Sequence, residues 1–386
     1  MAAGMTPAQT YLDRFGKLPE RILMLKGHSA GIGDLLRSSA AWRALKNAFP
    51  KTELHLALFT GEPGYASESL IARHHLLHGF LAVDKRMGRL RGWPRLSAWA
   101  AHAARTVRPD LVIDFEPAGL YSAFAAWRLG HAGGAVTAGI GQFPLRGAFY
   151  DLVSVSTAEF ARRRGLEFPL EYTGRDFVCL SALQIERNGL PIELEETDEG
   201  RIFRESFREK FRLPPDATII GVNIGCGTPD AVVKRPSLRS LCRLVEEVQK
   251  AHDAVIVLTG ANFERAINQE FAGLWPPSRK HLVHDLAGQT SLLELAGLIR
   301  ACALFISTDS GPYHMAVALG VPTLAVFRGS NPVHYHREKH VRCVVLGKEE
   351  HVACAIQAAA ELLPLGGGLA AGGRPWAGVE RPDFSD

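Results

Sequence analysis

Apolar runs and segments of helical period take turns along this chain. "RILMLK" precedes a helical stretch over residues 34–49, "ELHLALF" precedes a helix around Ser67, "DLVIDF" precedes a helix over 120–129, and "AVTAGI" follows. The rhythm lapses in the middle, where the acidic stretch "ELEETDEG" (193–200) reads as a solvated helix start or a linker. It restarts with "TIIGVNIG", a helix over 237–250, "AVIVLTG", a helix around Glu264, "HLVHDLAG", a helix over 291–302, "LFIS" and "PTLAVF". Strand–helix alternation is the mark of a parallel sheet covered by helices. The pattern predicts two doubly wound α/β halves with a boundary between about 180 and 215. The expected division is an N-terminal domain over 1–180, an interdomain segment over 181–214, a C-terminal domain over 215–365 and a flexible tail over 366–386, where Gly and Pro abound and no apolar period survives.

Length agrees, since 386 residues exceed one ordinary core. With 47% hydrophobic and 22% charged residues the composition is that of a soluble globular protein, and no apolar run approaches the roughly 18 residues that span a bilayer. The N-terminus lacks the basic start and apolar centre of a secretion signal, which predicts a cytoplasmic protein. Six cysteines lie scattered without any CxxC spacing, against a zinc site or a disulfide framework, and read as small core residues. The net charge of +4 is too mild for a nucleic-acid partner but suits a phosphorylated substrate or an anionic surface.

Candidate chemistry gathers at strand-to-helix turns. "STDSGPYH" (307–314) leaves a buried strand and opens a helix. Ser310 can cap that helix, Gly311 clears space for an anion, and Pro312 suits the first turn. An anionic group would meet the free N–H groups there, with His314 one turn in and Asp309 at the strand tip to accept hydrogen bonds from ligand hydroxyls. "NIGCGTPDAVVKRP" offers Gly225, Gly227, Thr228, Lys234 and Arg235, the small residues, hydroxyl and cations a diphosphate wants, and no Asp-x-Asp pair exists to hold magnesium. Glu264 stands near a helix start, where it meets ribose hydroxyls or complements the helix dipole. In the first half, "KGHSAGIGD" carries Gly27, Gly31 and Gly33 in a spacing that also occurs in short-chain dehydrogenases, with Tyr335 and Lys339 as a distant Tyr-x-x-x-Lys pair. Asp34 argues against that use, because its carboxylate would repel a pyrophosphate; at a helix N-terminus the dipole favours its charged form, which either accepts a proton as a base or simply complements the dipole.

"DLAGQTSLLELAGLIRACALFISTDSGPYHMAVALGVPTLAVF", together with Gly33-Asp34 and "LLRSSAAWRALKNAFP", resembles glycosyltransferase family 9, the heptosyltransferases that build the lipopolysaccharide inner core from ADP-heptose. The likeness covers most of residues 21–330 and is thin between about 60 and 210. It implies a GT-B fold, two Rossmann-like domains with parallel sheets facing across a cleft, and inverting transfer without a metal or other cofactor. Carried over, Asp34 is the general base and Lys234 neutralises the leaving diphosphate. Gly225, Thr228, Glu264, Asp309, Ser310, Gly311 and His314 bind the donor, and Gly33 and Arg37 the acceptor. Two departures stand out: "KRPSLR" where the family commonly has Lys-x-Trp-Pro, and "FRGSNP" where it often has Phe-Gly-Pro-Thr-Asp-Pro.

Basic clusters at 85–96 ("KRMGRLRGWPRL") and 161–165 ("ARRRG") belong to the half expected to hold the acceptor. They grip a phosphorylated lipopolysaccharide core, lie on the inner face of the membrane as a peripheral contact, or are solvated loops; a small-molecule or nucleoside acceptor is also open. Two further function classes fit the same donor cleft: a GT-B-like NDP-sugar epimerase, which needs no acceptor base, and a non-catalytic nucleotide-sugar-binding protein.

Overall fold

A computed structural model of the chain describes residues 5–27, 31–61, 66–88, 92–226 and 233–364. The tail expected over 366–386 lies outside the described residues, as does Thr228.

Strands β1 (Arg21–Gly27), β2 (Glu53–Thr60), β3 (Gly79–Asp84), β4 (Leu111–Asp114), β5 (Val136–Ile140) and β6 (Leu152–Ser154) pair in parallel in the order 3-2-1-4-5-6. Strands β7 (Ile219–Asn223), β8 (Val255–Thr259), β9 (Val283–Asp285), β10 (Leu304–Thr308), β11 (Thr323–Phe327) and β12 (Val341–Val345) form a second parallel sheet in the order 12-11-10-7-8-9, the same winding read from its other edge. The helices are α1 (Pro7–Phe15), α2 (Ile32–Leu36), α3 (Ser39–Ala48), α4 (Ala66–Ala72), α5 (Trp93–Val107), α6 (Leu120–Gly133), α7 (Thr157–Arg164), α8 (Tyr172–Leu180), α9 (Asp198–Lys210), α10 (Leu238–His252), α11 (Arg265–Gly273), α12 (Leu292–Arg300), α13 (Gly311–Ala318) and α14 (His351–Leu362). The expected fold is therefore observed: two Rossmann-like α/β units in a GT-B arrangement.

Central strands such as β7 and β10 are buried along their whole length because helices cover both faces of each sheet. The outer face of the first sheet packs Leu23, Leu25 and Val112 against α5 and α6, and the outer face of the second packs Val222 and Ile306 against α10 and α14. The inner faces meet in one continuous apolar cluster, from Met24 and Ile113 through Phe177 and Phe203 to Met315 and Phe305. This shared core holds the two lobes together. In such sheets the winding reverses direction beside the first strand, and the loops leaving the strands there open into a crevice. Here those are the loops after β1 and β4 in one lobe and after β7 and β10 in the other.

Several local expectations change. The helix expected over 34–49 breaks after Leu36 and restarts at Ser39: the Ser38 N–H tightens back onto the Leu35 carbonyl and Ser39 Oγ donates to the Leu36 carbonyl at 2.6 Å, while Arg37 within the break reaches carbonyls of the other lobe. Residues 93–96, expected in a basic loop, open α5: Pro94 suits a first turn, and Leu96, Ala100, Ala103 and Ala104 keep one face buried. The acidic stretch is only partly solvated. Helix α9 starts at Asp198 under a Thr197 cap, yet Glu193 is held by Arg43 at 2.7 and 2.8 Å, and its N–H donates to Ser39 Oγ. Cys179, Cys242 and Cys302 are buried and Cys354 is exposed, all of them free thiols. No helix among the described residues is long and apolar enough to cross a membrane.

Candidate functional site

The corner after β10 is a polar knot at the end of an apolar strand. Asn223, at the tip of β7, donates from Nδ2 to the Gly225 carbonyl (2.8 Å) and to Ser310 Oγ (3.0 Å), while Thr308 Oγ1 donates to the same carbonyl at 2.8 Å. Ser310 sits at the cap position of α13, but its hydroxyl bonds Asn223 and Ser307 instead of capping. That corrects the expected side-chain cap: the hydroxyl ties two strand ends together and leaves the first N–H groups of the helix without it. Pro312 lies in the first turn as expected.

Asp309 is buried beside this corner, with Oδ1 3.0 Å from His334 Nδ1 and Oδ2 3.7 Å from Lys234 Nζ. Burial pushes its carboxyl upward, but the His334 bond and the charges of His334, Lys234 and Arg37 outweigh this and hold it below the usual range. The Lys234 side chain remains 48% exposed. Gly225 has no side chain because the Glu264 carboxylate occupies the space; a Cβ there would collide with it. Glu264 Oε2 accepts the Ala261 N–H at 2.7 Å. Carboxylate, glycine, lysine and helix N-terminus thus line one mouth.

The opposite lobe closes on this mouth through α2. Gly33 abuts the buried His314 ring so closely that a Cβ would overlap it, and Ile32 lies against Gly311. Asp34, the next residue, is half-buried at the same seam, its Oδ2 folded back toward Gly31. Arg37 is 2% exposed and crosses the seam: Nη1 donates to the Val333 carbonyl at 3.0 Å and Nη2 to that of His334 at 2.8 Å, with the guanidinium over the Tyr172 ring. Burial works against its charge, and Tyr313, Glu171, Asp34 and Asp309 favour it. One guanidinium therefore feels carboxylates from both lobes. Each terminal nitrogen makes one bond to backbone across the seam, which places Arg37 in the interlobe joint.

The sequence reading had no place for Glu116, just past β4. Its Oε1 accepts the Gly27 N–H at 2.7 Å, and a Cβ on Gly27 would lie 2.7 Å from that carboxylate. A dinucleotide phosphate would need that N–H, so the structure opposes the dehydrogenase use of the glycine turn. Below it, Asp114 and Arg146 form a fully buried pair at 2.9 Å and Tyr150 donates to Asp114 at 2.6 Å. Lys26 binds Asp176 at 2.8 and 3.0 Å. Among the described residues, the arginines of the second cluster are paired, Arg162 and Arg163 with Glu159 and Arg164 with Glu186, and in the first cluster Arg86 pairs with Asp84. Residues 89–91 lie outside the described residues. Asn223, His334 and His336 were also missed. A lone Asn in a buried strand and the histidine-rich "NPVHYHREKH" were the signals available.

Comparison with known proteins follows the same division. Residues 241–361 match Glycosyltransferase family 9 (heptosyltransferase). A Lipooligosaccharide heptosyltransferase 2 of Campylobacter jejuni is 28% identical over 148 residues, 38% of this chain and 45% of that protein. The chain thus spans less than half the length of the curated relatives it matches. A glycosyl transferase family 9 structure from Veillonella parvula superimposes over 88% of this chain and 89% of its own, with a TM-score of 0.67 at 19% identity. ADP-heptose lps heptosyltransferase II of E. coli does so over 88% and 98%, with a TM-score of 0.64 at 18% identity. The chain is similar to family 9 heptosyltransferases in the sequence of its C-terminal lobe and in the fold of most of its length.

Proposed function

We propose that this family 9-like chain is an inverting, metal-independent glycosyltransferase that moves a sugar from a nucleotide diphosphate donor, an ADP-heptose type, to a hydroxyl of an acceptor. The observation that carries the reading is the seam itself. Asp34 stands on one lobe, the Lys234–Asp309–Ser310 mouth stands on the other, and both carboxylates act on Arg37 between them.

The chemistry follows from charge. As the acceptor oxygen attacks the anomeric carbon, Asp34 takes its proton, while the bond to the diphosphate breaks and negative charge grows on the leaving oxygen. Lys234, the N–H groups at the start of α13 and the Gly225 turn stabilise that charge without being consumed. Asp309, kept ionised by its cationic neighbours, accepts hydrogen bonds from donor-sugar hydroxyls. Base and electropositive mouth on opposite lobes favour attack from the face opposite the leaving group, hence inversion. Glu264 takes ribose hydroxyls beside Gly225. The acceptor, a lipopolysaccharide-type core or a small molecule, lies on the N-terminal lobe near Asp34 and Glu116, and nucleic acid is not a partner. We place the protein in the cytoplasm, peripheral at the membrane where the acceptor is membrane-bound.

A thermal-shift panel of nucleotide sugars, followed by transfer assays, tests the reading, because a ligand that binds only the folded state raises the melting temperature. ADP-sugars should raise it; a response to NAD with none to ADP-sugars would refute the proposal, and turnover of donor without any acceptor would favour an epimerase.

A further inference from the structure

Behind His314 runs a second set of side chains that the transfer scheme does not use. His314 Nδ1 lies 2.8 Å from His336 Nε2, both rings being buried. On the far side, His336 Nδ1 lies 3.6 Å from Glu338 Oε2. Glu338 is itself unusual: its side chain is 8% exposed, neither oxygen meets a hydrogen-bond partner among the described residues, and Arg187 lies 3.7 Å away. An ionised carboxylate buried this way costs stability unless its charge is used. The His336 N–H donates to Tyr313 Oη, and the His336 carbonyl faces Cys343, so the ring is fixed from its backbone.

These contacts dictate where the protons sit. The Glu338 carboxylate favours the N–H on the facing nitrogen of His336, its Nδ1. His336 Nε2 is then an acceptor and takes the hydrogen bond from His314 Nδ1–H. That leaves His314 Nε2 without a proton, on the edge of the ring that meets Gly33, one residue from Asp34. Burial, and after it the charge of Arg37, push the His314 imidazole well below its ordinary value, toward the neutral form. Burial lowers His336 as well, and Glu338 is held at about 2, where burial is outweighed by His336 and Arg187.

We infer that Glu338 and His336 are positioning residues that fix His314 in one tautomer, presenting its bare Nε2 at the lobe seam as a hydrogen-bond acceptor for a substrate hydroxyl. The tautomer stands on the geometry alone; the role toward substrate rests on the glycosyl-transfer reading. Without the relay, His314 could equally present an N–H, which would repel the hydroxyl proton that has to point at it.

Histidine-labelled protein read by 15N NMR near neutral pH separates the two parts. His314 resonances, assigned by their loss in His314→Gln, should show a protonated Nδ1 and a bare Nε2 in the wild type. In His336→Phe the proton should redistribute to Nε2, with kcat lowered about tenfold, the worth of one buried hydrogen bond, and donor KM little changed. His336→Gln, whose amide oxygen can accept the same bond, should keep the tautomer and most of kcat. A protonated Nε2 in the wild type, or an unaltered tautomer in folded His336→Phe, overturns the relay whatever the activity. If His336→Phe does not fold, the wild-type spectrum still decides. Correct tautomers in a protein that transfers no sugar would leave the relay standing and defeat the transferase reading.

Discussion

Replacing Arg37 by methionine asks what holds the two lobes shut. Methionine keeps an unbranched apolar stem and removes the guanidinium, so the carbonyls of Val333 and His334 lose donors at 3.0 and 2.8 Å in a place that is 2% exposed. Hydrogen bonds from a charged donor contribute about 1.5–3 kcal/mol each, and the variant regains part of that because no charge has to be buried. A net loss of about 2–4 kcal/mol follows, shifting the closed arrangement by roughly 30- to 700-fold at ~1.4 kcal/mol per decade. Because both bonds span the lobes, the loss should appear as a larger radius of gyration in small-angle scattering, a lower melting temperature and a lower kcat/KM together. An unchanged radius and melting temperature, with only the KM for acceptor raised, would refute this and return Arg37 to the acceptor contact that the sequence suggested.

Glu193→Gln should destabilise the protein by ~1 kcal/mol at neutral pH, a discounted figure because the pair with Arg43 is partly exposed. Burial pushes Glu193 up but Arg43 and His75 pull it down to about 2, below the ~4.3 of an unfolded glutamate. The stability it adds is therefore complete above about pH 4.3, and the gap between wild type and variant in urea melts should close as pH falls toward 2; a gap independent of pH would be wrong for this pair. Gly225→Ala drives a methyl into the Glu264 carboxylate. Calorimetric titration should show donor affinity down about tenfold or more with the melting temperature only slightly changed, and normal donor binding would remove Glu264 and Gly225 from the donor mouth.

The sheets were legible because parallel strands covered on both faces are continuous apolar runs, and the best-read ones, β1, β2, β7, β8 and β10, lie at or next to the centre of their sheets. The edge strands β3 and β12 read "GFLAVD" and "VRCVV" with mixed burial, and neither they nor the short β6 were anticipated. At the site, Asp309, Ser310, His314, Lys234 and Asp34 stood out because each belongs to a short motif on a turn. Glu116 occupies an equivalent turn, after β4, but its partner is the N–H of Gly27 far back in the chain, and nothing local announces it. Arg37 stood out as an acceptor contact through the family resemblance; its bonds to the Val333 and His334 carbonyls are visible only in the tertiary structure. His336 and Glu338 are visible only as polar residues in a histidine-rich loop; their alignment behind His314 exists only once the loop after residue 331 folds onto α13.

Asp34→Asn tests the central claim most directly, since it removes the proton acceptor while leaving shape and hydrogen-bonding size nearly intact. Single-turnover transfer should fall by about 10²–10⁴-fold, the usual worth of a positioned base, with the donor dissociation constant from calorimetry unchanged. Undiminished transfer, or a loss fully matched by lost donor binding, would contradict a base acting across the seam from the diphosphate mouth.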